Sequence, residues 1–146
     1  MRALIYVAIL WLAGCGSSSS PVNPGSPILD IEVQIEGLRE AVEIDSVFWD
    51  ARSWAPTASG QFEISGRYAL IFRNRTDQPL ELRYDLRFLD RDSFLIDVFN
   101  PFNLPLRLAP HQAGREGGDY FIRADKPRAL DELQTMLVHM VVQLAP

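Results

Sequence analysis

The chain holds one cysteine, two histidines, no cluster of basic residues and no apolar run long enough to cross a bilayer. Each shortage excludes something. A lone thiol cannot close an intrachain disulfide or supply a cysteine zinc site, so the fold must stand on its core alone. Fourteen Lys and Arg against 19 Asp and Glu leave a net charge of −5, which disfavours nucleic acid and electrostatic attachment to anionic lipid. His111 and His139 have no carboxylate or cysteine at metal-ligand spacing. No serine stands in a Gly-x-Ser-x-Gly turn, and no lysine follows Gly117-Gly118 as a P-loop demands. The expectation is therefore a non-enzymatic protein with no cofactor and no metal. Asp90-Arg91-Asp92 with Asp97 offers clustered oxygens for calcium, but without the glycine and terminal glutamate of a known loop type it reads better as a hairpin tip.

What is present begins at the amino terminus. Arg2 gives a positive start, residues 3–13 form an apolar run of 11, and Leu12-Ala13-Gly14-Cys15 follows. A bilayer span needs about 20 apolar residues, so this is a secretory layout rather than an anchor helix. The ending resembles the lipobox of bacterial lipoproteins. That resemblance implies cleavage before Cys15, diacylation of its sulfur and acylation of the new amino terminus. Gly16, rather than aspartate, follows the cysteine, which resembles the pattern for release to the outer membrane, facing the periplasm. The other reading of the same residues is a plain secreted protein whose cysteine is incidental.

Three segments are expected: a signal peptide over 1–14, a lipidated cysteine and tether over 15–27, and one domain over 28–146. Loss of Arg2 with the leader takes the charge to −6. Residues 16–27 carry one apolar side chain, Val22, no charge and three prolines, too little to offset ordering entropy. Such a tether spans roughly 20 Å.

Within the domain the apolar period is two. Ile31, Val33 and Ile35 alternate with Asp30, Glu32, Gln34 and Glu36, and Gly37 breaks the run. Residues 42–48 alternate again, and 61–73 are apolar enough for a central strand buried on both sides. Asn74-Arg75-Thr76 matches a glycosylation sequon but reads as turn chemistry ahead of Gln78-Pro79. Leu80, Leu82, Tyr84, Leu86 and Phe88 then alternate with Glu81, Arg83, Asp85 and Arg87, the clearest strand in the chain. Further strands are expected over 94–99, 104–108 and 119–123, with 110–118 as a loop. For the carboxyl-terminal stretch a short helix over 127–133 leading into a strand over 134–144 competes with one long helix. Short strands at this spacing predict an all-β, antiparallel β-sandwich.

Phe72-Arg73-Asn74-Arg75-Thr76-Asp77-Gln78-Pro79-Leu80, Leu86-Arg87-Phe88-Leu89-Asp90 and Leu108-Ala109-Pro110-His111-Gln112-Ala113-Gly114 together are similar to the FxLYD family and related immunoglobulin-like lipoprotein domains. The resemblance implies an immunoglobulin-like sandwich in the cell envelope and transfers no catalytic residue.

The remaining candidate is a connection over 49–56, where Trp49 and Trp54 flank Arg52, with Phe102 at the same end of the sandwich. Tryptophan and arginine are enriched anchors of recognition surfaces. The competing reading makes the indoles lids on the core. Two functions follow: an envelope module that binds a protein partner, or a small-ligand or carbohydrate carrier with a pocket between the sheets or at the tryptophan end.

Overall fold

The computed structural model describes residues 29–101, 104–125 and 132–146. The leader, Cys15, the tether, Phe102 and nearly all of the helix expected over 127–133 lie outside the described residues, as does the side chain of Trp54.

Two packed sheets form an all-β sandwich. The strands are β1 (Asp30–Gly37), β2 (Val42–Pro56), β3 (Phe62–Asn74), β4 (Leu80–Asp90), β5 (Leu95–Phe99), β6 (Leu106–Leu108), β7 (Ala113–Ala124) and β8 (Leu133–Leu144). One sheet runs β1-β8-β4-β5, with β6 also pairing β4; the other runs β2-β3-β7. The expected final strand is present as β8, which rules out one long helix there. The sheet is not wholly antiparallel, because β1 lies parallel to β8 from Asp30↔Thr135 to Gly37↔Val142. At Gly37, with φ of 80°, a side chain would strike the Val142 carbonyl oxygen. The chain can therefore turn beside β8, through the 3-10 turn Arg39–Ala41, into the opposite sheet.

The core sits between the sheets. Leu80, Leu82, Leu86 and Phe88 of β4 are fully buried, as the period-two pattern requires. They meet Leu70 and Phe72 of β3 and Tyr120 and Ile122 of β7. β3 differs from expectation: it is buried on one face only, with Arg67 and Arg73 exposed on the other. Tyr68 of β3 and Tyr84 of β4 join the sheets through a buried hydroxyl pair 3.0 Å apart. Asn74 is fully buried. Its amide donates to Gln78 and Ala109 carbonyls while its oxygen accepts from Thr76, so the sequon asparagine is turn architecture. The Asp90 carboxylate likewise accepts the Asp92 and Phe94 backbone N–H groups at 2.9 Å, the self-contained tip of the β4–β5 hairpin.

β7 is longer than expected. Residues 113–118, read as loop from their glycines, pair in unbroken register with β3. A Cβ at Gly117 would strike the Tyr68 carbonyl, and one at Gly114 the Phe72 ring. The glycines there give clearance against a neighbouring strand.

Candidate functional site

The expected Trp49–Trp54 connection is not a loop. It is the second half of β2, paired with β3 from Val42↔Asn74 to Pro56↔Phe62; the turn lies beyond it, where the Gly60 N–H donates to the Thr57 carbonyl. Asp50, Ser53 and Pro56 resemble turn chemistry in sequence. An edge strand tolerates them, because two register shifts, between Ile44 and Ser46 and between Ala51 and Ser53, absorb an extra residue each. Arg52 is the extra residue of the second bulge, exposed, with its guanidinium 3.2 Å from Asp50.

Trp49 does not belong to an exposed surface. Its half-buried ring stacks on Tyr120 at 5.7 Å and 27°. Tyr120 in turn stacks on Phe88 at 5.7 Å, so Trp49 caps an aromatic column that reaches the opposite sheet. Gly66 of β3 pairs with Tyr120, and a Cβ there would crowd the Tyr120 ring. Trp49 Nε1 is buried and has no acceptor among the described residues. Of the four residues proposed as a binding surface, Trp49 is a core lid and Arg52 a bulge residue; Trp54 and Phe102 carry no described side chain.

A polar cluster that sequence reasoning passed over lies on the outer face of the other sheet. His139 of β8 is largely buried, with Nδ1 3.0 Å from Asp85 Oδ2 and 2.9 Å from Arg87 Nη2, while Nε2 lies 3.1 Å from Glu36 of β1. Cross-strand register supplies these partners: Asp85 pairs His139 directly, and Gln34 of β1 pairs it from the other side. Asp85 is 54 residues away in sequence, beyond any local spacing rule. Protonated, the ring donates to both carboxylates. Neutral, Nε2–H donates to Glu36 and Nδ1 accepts from Arg87. Both states bind β1 to the sheet. Among the described residues no group of three His, Cys, Asp or Glu is placed to hold a metal ion.

No family model and no curated protein matches the chain. The crystal structure of Campylobacter jejuni cj0090 is similar over 77% of this chain and 97% of that one, at 14% identity and a TM-score of 0.37. The X-ray structure of the structural-genomics target SoR45 is similar over 62% of this chain and 68% of that one, at 12% identity and a TM-score of 0.46. Likenesses this slight carry no functional argument. Among the described residues no helix is long and apolar enough to cross a membrane.

The cluster is expected to make stability depend on pH. Burial pushes the His139 pKa down, but hydrogen bonds to Asp85 and Glu36 outweigh it, and the net direction is up. A raised folded-state pKa contributes stability that is complete below the ordinary histidine value of about 6.5 and fades as pH rises through the folded value. Wild type is therefore expected to melt a few degrees above His139→Asn near pH 5.5, and the gap should narrow by about pH 8. Thermal melts across that range check it; a gap independent of pH would show that His139 acts only through packing.

Proposed function

We propose that this protein is a lipid-anchored, non-enzymatic interaction module of the bacterial envelope. Cys15 fixes it to the outer membrane on the periplasmic side, and the sandwich presents a binding face to an envelope protein. The observation that carries this reading is the order of parts along the chain. The lipobox-like Leu12-Ala13-Gly14-Cys15 is followed by the Ser/Pro-rich run through Pro27 and then, at Asp30, by the first strand of a sandwich. Nothing in the composition offers another attachment, and two or three acyl chains hold a protein far more firmly than one. The module reading is favoured over the carrier because fully buried Leu70, Leu82, Leu86, Phe88 and Tyr120 occupy the space between the sheets.

The decisive experiment is Cys15→Ser. Without the thiol there is no acceptor for the acyl group, so the precursor should remain uncut or the domain should leave the detergent phase on partitioning. Normal processing together with retained membrane attachment would overturn the anchor.

A further inference from the structure

The two long margins of the sandwich are finished differently. On one, β5 and β7 are sewn together. Asp97 Oδ2 of β5 accepts the Arg123 backbone N–H of β7 at 2.6 Å, and the Phe99 ring packs edge-on against Tyr120 and Phe121. A side chain thus caps a free edge group and aromatics fill the gap. On the other margin the end strands are β1 and β2, each the last strand of its sheet, and they do not pair. The chain turns from one into the other at Leu38–Ala41, and beyond that corner the edges flank an open apolar trough of about 450 Å³. It is lined by Ile31, Val33 and Ile35 of β1 and by Ile44, Ser46 and Val47 of β2. Ile31 and Val33, the inward residues of a regular strand, remain 43% and 44% exposed. The apolar face of β1 is laid out for a core that the described residues do not complete.

Natural edge strands are usually blunted by bulges, proline or lysine. β2 has two bulges, one of them at Asp45 beside the trough. β1 has none of these devices: Asp-Ile-Glu-Val-Gln-Ile-Glu-Gly runs in unbroken register with β8 on one side, and among the described residues nothing pairs its other edge. What it carries instead is negative charge. Asp30, Glu32 and Glu36 stand on its exposed face, with Glu40 at the corner and Glu43 and Asp45 on β2. Arg75 and Arg73 approach Glu43 and Asp45 at 3.8 Å, His139 approaches Glu36, and Arg39 lies in the corner; the rim stays net acidic. Like charges opposed across a ladder are destabilising. That disfavours a second copy of β1 on this edge and favours a strand that answers acid with base.

We infer that the β1 edge is a docking site for an extended segment of a partner protein in which apolar and basic residues alternate. The segment adds to β1 by backbone hydrogen bonding, as in strand addition to an open sheet edge. Its apolar side chains enter the trough between Val33 and Val47, completing the core, and its basic side chains meet Asp30, Glu32 and Glu36. This rests on the binding-module reading and names the partner chemistry for it.

The test uses the full chain in nanodiscs of zwitterionic lipid and two labelled eight-residue peptides, the length of β1, one alternating Lys with Val and the other Glu with Val. The Lys/Val peptide should bind saturably and at least about tenfold more tightly than the Glu/Val peptide. Val33→Asp puts a charge in the trough at an exposed position, so it should keep the melting temperature and weaken the Lys/Val peptide by about tenfold or more. Phe121→Ala, on the sewn margin, should bind as wild type does. Equal affinity for the two peptides, or no effect of Val33→Asp, overturns the inference. So does a dimer in sedimentation that Val33→Asp dissociates, since a second copy would then own the edge. Cys15→Ser protein should bind the peptide unchanged, so failure of the anchor and failure of the docking edge are separate results.

Discussion

Phe88→Ala is expected to lower stability by about 3–5 kcal/mol, a large fraction of the roughly 5–15 kcal/mol a typical domain possesses. Phe88 is fully buried on β4, opposite Met136 of β8, and its ring stacks on Tyr120 at 5.7 Å and 24°. Truncation removes the transfer free energy of the ring and also opens a void that β4 cannot collapse into, because it is held by β8 on one side and β5 on the other. It also takes the support from under Tyr120 and therefore from the Trp49 lid above it. For a domain of this size the melting temperature should fall by more than about 10 °C. Arg87→Ala is the control. It lies on the opposite face, bonded to Asp85 at 2.7 Å and touching His139, and this partly buried pair should contribute about 1 kcal/mol, well below the loss at Phe88. Equal losses for the two variants would mean that β4 faces the other way.

β4 was legible because its two faces differ in chemistry at every step, apolar against charged, over nine residues. Period two assigns a face to each side chain, and burial on one face then fixes register. It does not assign a neighbour. β1 alternates just as regularly, yet its parallel pairing with β8, more than ninety residues on, and its uncovered inner face belong to the topology alone. The errors share one cause. Asp, Ser, Pro and Gly punctuate loops, so residues 49–56 and 113–118 read as connections in the sequence. Here they serve end strands, where bulges absorb Asp45 and Arg52 and glycines at 114 and 117 give clearance to β3. Of the two readings open for the indoles, recognition anchor and lid, Trp49 takes the lid, stacked on Tyr120. His139 has partners distant in sequence, and only the β1-β8-β4 order brings Glu36 and Asp85 to its two ring nitrogens.

Gly66→Ala should be strongly destabilising. Gly66 is in the central strand β3, facing Ala51 of β2 on one side and Tyr120 of β7 on the other. A Cβ there would overlap the Asp50 carbonyl oxygen and crowd the Tyr120 hydroxyl and ring. The Asp50 oxygen is backbone, held where the Tyr120 hydroxyl donates to it at 3.3 Å, so it cannot rotate away as a side-chain tip would. Relief requires β2 to lift at its Arg52 bulge, which breaks that hydrogen bond and parts Trp49 from Tyr120. Overpacking of this kind costs about 1–3 kcal/mol, and loss of the bonded contacts beside it takes the expected value to the upper end. Gly118→Ala supplies the comparison, since a Cβ at that position meets nothing within 4 Å and should change stability by less than about 0.5 kcal/mol. Both variants are read by thermal melts, with amide exchange over 50–56 to locate the damage: in Gly66→Ala those amides should lose protection before the rest of β3 does. A Gly66→Ala protein that melts with Gly118→Ala and keeps its 50–56 protection would show that β2 does not cross β3 this closely, and the Trp49–Tyr120 column would have to be redrawn.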